Sequence, residues 1–152
     1  MATREETKQI KDSKDVEHKY YVRQMPPTKA LPLKFELVKI VGSALPTLLK
    51  SKGKSDEEQA TAFTQAIEAI FCSVSGERLM AIIKMCVETA TRDGNRIMDS
   101  TEFTFDNIYA DEYKEMYSAF FFVLEVNYGN FIKGLGLNVE TLKATVAKKL
   151  EN

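Results

Sequence analysis

Tryptophan is missing from this chain, and histidine occurs once, as His18. With that single imidazole and only two cysteines, Cys72 and Cys86, the ligands of a zinc site cannot be assembled. Both thiols fall inside apolar helical patterns, where a reduced cysteine behaves as a small core residue, so no disulfide is expected. His18 stands in a polar leader and reads as solvated. Neither charge prevails either: the formal net charge is -1, which implies no basic face and removes nucleic acid as a default partner. Long apolar runs are also wanting. The opening MATREETKQIKDSKDVEHK has no apolar stretch that would serve as a signal peptide, and nothing later approaches the ~18 apolar residues of a membrane span. A cytoplasmic protein with no membrane partner is the expectation.

What is present has the balance of an ordinary globular protein, with 44% apolar and 28% charged residues, and 152 residues suit one hydrophobic core. The spacing predicts a mostly α fold: a single compact domain of about five helices over residues 19–152. A flexible N-terminal arm over residues 1–18 precedes it, because that stretch alternates in charge without an apolar stripe. Strand is expected only in short pieces near 20–25 and 102–106. In Tyr20 to Met25, aromatic and β-branched residues suggest extended chain that Pro26-Pro27 ends by excluding helix.

After Pro32 the first helix shows Leu37, Val38, Val41, Leu45, Leu48 and Leu49 on one stripe, with a kink or a break near Ala44 expected from Pro46. Ser55-Asp56-Glu57-Glu58 reads as a capping box opening a second helix, with Phe63, Ile67, Ile70 and Phe71 inward. The third carries Leu79, Ile82, Ile83, Cys86, Val87 and Ala90 and ends at the turn signal Asp93-Gly94-Asn95. Phe103 and Phe105 alternate in a short strand or an ordered loop. The fourth helix, from about Ala110 to Tyr128, is the most apolar and carries Phe120, Phe121 and Leu124. Gly134-Leu135-Gly136 breaks it from a fifth that Asn138 caps, with Leu142, Val146 and Leu150 as a thin stripe.

Catalytic signatures are wanting. Gly134-x-Gly136 has neither the third glycine nor the preceding strand of a dinucleotide site. The stretch from Asp93 to Asp99 places Ile97 and Met98 where a calcium loop needs a ligand and a glycine. No group of side chains converges on a reaction, so an enzyme is not expected, nor a cofactor or metal. Glu125 is the carboxylate most embedded in apolar sequence, though at the edge of its helix face it can reach water. Six tyrosines and nine phenylalanines raise the prospect that some aromatics form a contact patch. Tyr20, Tyr21, Phe103, Phe105 and Phe131 lie outside the best helical stripes and are the candidates for partner binding, beside the alternative that each packs under its own loop.

The order of segments carries one further reading. A leader ending in Tyr20-Tyr-Val-Arg-Gln-Met-Pro-Pro-Thr-Lys-Ala is followed by a helix starting Lys34-Phe-Glu-Leu-Val-Lys-Ile-Val-Gly. A late helix closes on Leu124-Glu125-Val126-Asn127-Tyr128-Gly129-Asn130-Phe131. Together these resemble the tail assembly chaperones of long-tailed bacteriophages, over roughly Tyr20 to Ile132. In that resemblance Glu125, Asn127, Gly129 and Asn130 form a structural motif; our reading of it makes Asn127 and Asn130 helix-end hydrogen-bonding residues and Phe131 the residue that folds the exit segment back. The resemblance implies a non-enzymatic factor of the host cytoplasm that binds the tape-measure protein, keeps it soluble, and helps recruit tail-tube subunits, without remaining in the mature virion. Homo-oligomerisation is left open. A small structural or connector protein retained in the virion tail is the alternative.

Overall fold

A computed structural model describes residues 3–42, 47, 50, 53–97 and 103–134. The expected fifth helix with Asn138, Leu142, Val146 and Leu150 lies outside them, as do Leu45, Pro46, Leu48 and Leu49. So do the side chains of Phe63, Ile67, Phe71, Phe103 and Phe131. The elements run β1 (Glu5–Lys11), β2 (Glu17–Arg23), α1 (Pro27–Gly42), α2 (Asp56–Ser73), α3 (Gly76–Val87), β3 (Ala90–Arg92), β4 (Asn95–Arg96), α4 (Phe103–Tyr109) and α5 (Tyr113–Gly134). The chain divides into two units, one of Met1–Pro26 with Ala81–Gly129 and one of Pro27–Met80 with Asn130–Asn152.

The first unit overturns the expectation of a mostly α domain with a flexible arm. Its four strands form one antiparallel sheet in the order β1-β2-β3-β4, and the supposed arm supplies the edge strand. All seven residues of β1 pair with β2, from Glu5 opposite Arg23 to Lys11 opposite Glu17. The arm has no helical stripe because its period is two: Ile10, Tyr20 and Val22 are buried on the inner face, while Glu5, Thr7, Gln9, Lys19 and Tyr21 point out. Asp12 closes the hairpin. Its carbonyl accepts from Asp15 N–H, its Oδ1 accepts from Lys14 and Val16 N–H, and Asp15 takes the left-handed conformation at φ 61°.

Asp93-Gly94 does more than end a helix. With φ of 52° and 82° at these two residues, they make the two-residue turn between β3 and β4, in which Arg92 faces Asn95. Two successive positive φ values match the right-handed twist of the flanking strands, the reason Asp-Gly is favoured there. The stretch near 102–106, expected as strand or loop, belongs to the helix Phe103–Tyr109: Phe105 and Tyr109, one turn apart, meet edge-on with ring centroids 5.0 Å apart. Asp111, at φ 58°, redirects the chain into α5.

Helix α5 is the core of this unit. From Glu115 to Val126 only Tyr117 and Glu125 escape full burial, which is the signature of a helix surrounded on most sides. Phe121 and Leu124 are 7% and 8% exposed, as their stripe predicts. Ile82, Ile83, Cys86, Val87 and Ala90 are likewise buried, whereas Cys72 is exposed.

In the second unit, α1 begins at Pro27, five residues before Pro32. Pro27 excludes helix from the residue before it but suits the first helical position, where no N–H is needed. Pro32 lies inside the helix and removes one ladder donor. Ser55 caps α2 by accepting from Glu58 N–H at 3.3 Å, as expected, and Ser75 caps α3 by accepting from Arg78 N–H at 3.2 Å. Glu36 of α1 pairs with both Lys39 and Arg78.

Replacing Phe121 or Leu124 with Ala should cost about 2 to 5 kcal/mol, read by denaturant unfolding. Deleting residues 1–17, which removes β1 and its turn, should lower the melting temperature markedly; an unchanged melt would show that β1 contributes nothing to the fold.

Candidate functional site

Three arrangements in the first unit join its sheet to its helices. The first is a buried polar cluster. Glu115, 1% exposed, sits on the face of α5 turned to the sheet, where its Oε1 accepts from Tyr20 O–H at 2.6 Å and from Arg92 Nε at 2.7 Å. The Tyr20 and Tyr109 hydroxyls lie 3.0 Å apart. Burial, reinforced by the Glu115 carboxylate, pushes both phenols well above the usual tyrosine range, so they remain protonated donors. Burial alone would lower the Arg92 guanidinium, yet Glu115 raises it above its ordinary value. Glu115 Oε2 has no protein partner, so the cluster is not fully satisfied by protein groups.

The second arrangement holds the two hairpin turns together. His18 places Nδ1 2.7 Å from Asp93 Oδ2 and Nε2 2.8 Å from Asp12 Oδ2. Both ring nitrogens can donate at once only in the imidazolium form. Partial burial acts to lower the histidine, but the two carboxylates outweigh it and raise the group above its ordinary value. Asp12 and Asp93 are both lowered, chiefly by their hydrogen bonds to His18. His18 is therefore not a solvated leader residue. Asp93 Oδ1 also accepts from Lys19 N–H at 2.9 Å, and Glu112, just before α5, accepts from Ser13 N–H at 2.9 Å.

The third is the Glu125 to Asn130 stretch. Asn127 Oδ1 accepts from Met25 N–H at 2.7 Å, pinning the chain as it leaves β2, while its Nδ2 donates to Val123 O at 2.9 Å. That carbonyl lies one turn back, where the ladder bond of Asn127 itself would go, and such competition bends helices. The next residue, Tyr128, leaves helical geometry at φ -129° and ψ 17°. Asn127 thus acts inside α5 at a kink and bridges to another segment. A Cβ on Gly129 would meet Arg4 Nη1 at 3.8 Å, an ordinary contact. Glu125 is half-buried and Asn130 exposed.

Of the aromatic candidates, Tyr20 and Phe105 are core residues at 0% and 2% exposure, and Tyr21 is 37% exposed on the outer sheet face. The structure brings Tyr20 to Tyr109 and Glu115, and leaves Tyr21 apart. Glu115 is a functional residue beyond the sequence candidates; its signal is a place four residues before Ala119 and seven before Phe122, which puts a carboxylate on an apolar stripe. Among the described residues no group of His, Cys, Asp and Glu could hold a metal ion.

A family model described as phage tail assembly chaperone protein, TAC, matches residues 15–138. The chain belongs to the phage tail assembly chaperone family. No curated protein and no solved structure matches it. The matched span takes in β2, the Glu115 cluster, the Asn127 bridge and, of the clamp, His18 and Asp93, whereas β1 and Asp12 precede it. Among the described residues no helix of the chaperone is long and apolar enough to cross a membrane.

Glu115→Ala should destabilise the chaperone by about 3 kcal/mol or more, because Arg92 and Tyr20 lose their buried acceptor; denaturant unfolding measures it. The His18 contribution has a defined pH sign. A raised imidazole stabilises fully below about pH 6.5 and loses that contribution as pH climbs through its folded value. The gap in melting temperature between the wild type and His18→Ala should therefore be widest near pH 5.5 and shrink by pH 9. A gap independent of pH would show that His18 contributes packing alone.

Proposed function

We propose that this chain is a non-enzymatic holder of the tape-measure protein, keeping it soluble in the host cytoplasm until tail-tube subunits are recruited around it, and absent from the mature virion. Family membership over residues 15–138 carries the proposal. The surface adds support. A tape-measure protein is a long helical chain with apolar surface to be covered before assembly, and its holder needs exposed apolar side chains that accept several registers. On α1, Leu31 and Phe35 are 54% and 61% exposed and lie one turn apart. The cleft lined by Lys50, Lys54, Glu58 and Gln65 carries charged groups of both signs, which the Leu31 and Phe35 pair lacks. Among the described methionines, Met25 and Met116 are buried and Met80 is half-buried, while Met85 is 39% exposed.

The test is co-expression of the tape-measure protein with the full chain and with Leu31→Ser/Phe35→Ser. The intact chain should move the client into the soluble fraction. The double variant should lose most of that effect while melting within a few degrees of the parent. Assembled tails should contain none of the chain; stoichiometric retention in purified tails would favour the structural or connector reading instead.

A further inference from the structure

We propose that the free edge of β1 pairs antiparallel with β1 of a second copy, on a two-fold axis at Thr7, so that the two four-stranded sheets join into one. The inference concerns β1, which precedes the family-matched residues, and it does not depend on the client.

The hydrogen-bond phase of the hairpin decides which groups are available. Gln24 N–H donates to Arg4 O at 2.8 Å, and Asp12 N–H donates to Val16 O at 3.0 Å. Both pairs are even-numbered on the β1 side. In an antiparallel ladder the peptide groups alternate sides, so the even residues of β1 bond to β2 while Glu5, Thr7, Gln9 and Lys11 turn theirs outward. No described strand lies on that side, since β1 ends the sheet. Nothing blunts the edge by shape: it has seven residues, no proline, and one-to-one pairing with β2 throughout.

Charge is the remaining guard, and it selects a register instead of forbidding one. Opposed residues must share a face, so the axis falls on a single residue. An axis at Glu6 opposes two glutamates; one at Lys8 overlaps the whole strand and sets Glu5 against Lys11 twice, but it forces two half-buried lysines together at the axis in a close non-hydrogen-bonded pair. An axis at Thr7 opposes Thr7 to Thr7 and Glu5 to Gln9, and it sets Glu6 against the second copy's Lys8 twice. These Glu6 and Lys8 pairs are the non-hydrogen-bonded ones, where side chains come closest. Thr7 supplies two peptide bonds at the axis, and Glu5 and Gln9 supply the rest. An axis at Gln9 overlaps as many residues of the strand as one at Thr7 but brings no ion pair. The inner-face position of Glu6 and Lys8 leaves both half-buried, where screening is weaker than on open surface.

Sedimentation of the full chain from about 10 to about 500 μM, a range suited to an interface smaller than about 1,200 Å², should show a monomer–dimer equilibrium. Thr7→Pro removes an outward N–H without touching the bonds to β2, so it should abolish the dimer and leave the circular dichroism spectrum and melting temperature close to wild type. Lys8→Glu and Glu6→Lys should each weaken self-association roughly tenfold or more. Mixed in equal amounts, those two variants should associate with each other, because both opposed pairs become attractive again. A wild type that stays monomeric throughout the range overturns the proposal. So does a Thr7→Pro variant that still dimerises, or a mixture of the charge variants that stays monomeric.

Discussion

A carboxylate buried at the sheet–helix boundary is the constraint around which the first unit is arranged. Glu115 lies on a helix that is otherwise apolar on that face, and an isolated buried charge there would cost far more than the packing around it returns. Its acceptor oxygen is met by Tyr20 from the middle of β2 and Arg92 from the end of β3, so both strands must sit in register over α5. Those strands are neighbours, with Tyr20 opposite Arg92. One ion pair and one hydroxyl therefore tie the sheet's register to the phase of the helix.

The other links follow from that placement. With β2 fixed over α5, the hairpin turns come together at His18, and the exit from β2 reaches Asn127. Lys8 on β1 lies with Nζ over the Phe122 ring, 5.9 Å from its centroid, and Lys84 of α3 lies 5.5 Å from that of Phe105, so cations lie over aromatic rings of the core at two further points. Polar contacts thus set direction and register, while burial of α5 supplies most of the driving force. All of these links lie in the sheet-bearing unit. The exposed Leu31 and Phe35 belong to the other unit, whose helix α1 tolerates an internal proline.

Some of this was readable from residues alone, and the reason is local. The stripe of α5, the core positions of α3 and the Ser55 cap depend on spacing of three and four and on nearest-neighbour hydrogen bonds, which a sequence displays directly. The Leu124 to Phe131 stretch also carried the family resemblance. Its physical role was not readable, because the partner of Asn127 is Met25, more than a hundred residues away in the chain.

Local chemistry determined that α1, α2, α3 and α5 are helical, that Ser55 caps α2 and that Asp93-Gly94 is a turn, and it carried the resemblance to the tail assembly chaperone family; it left Phe103–Tyr109 as strand or loop. Only the tertiary structure decided that residues 5–23 are a hairpin, that His18 is clamped between Asp12 and Asp93, and that Glu115, not Glu125, is the buried carboxylate. A strand of alternating charged and apolar residues has no stability until its apolar side meets a helix and its edge meets another strand. That information resides in contacts between β2, β3 and α5, across the sequence distance from Tyr20 to Glu115.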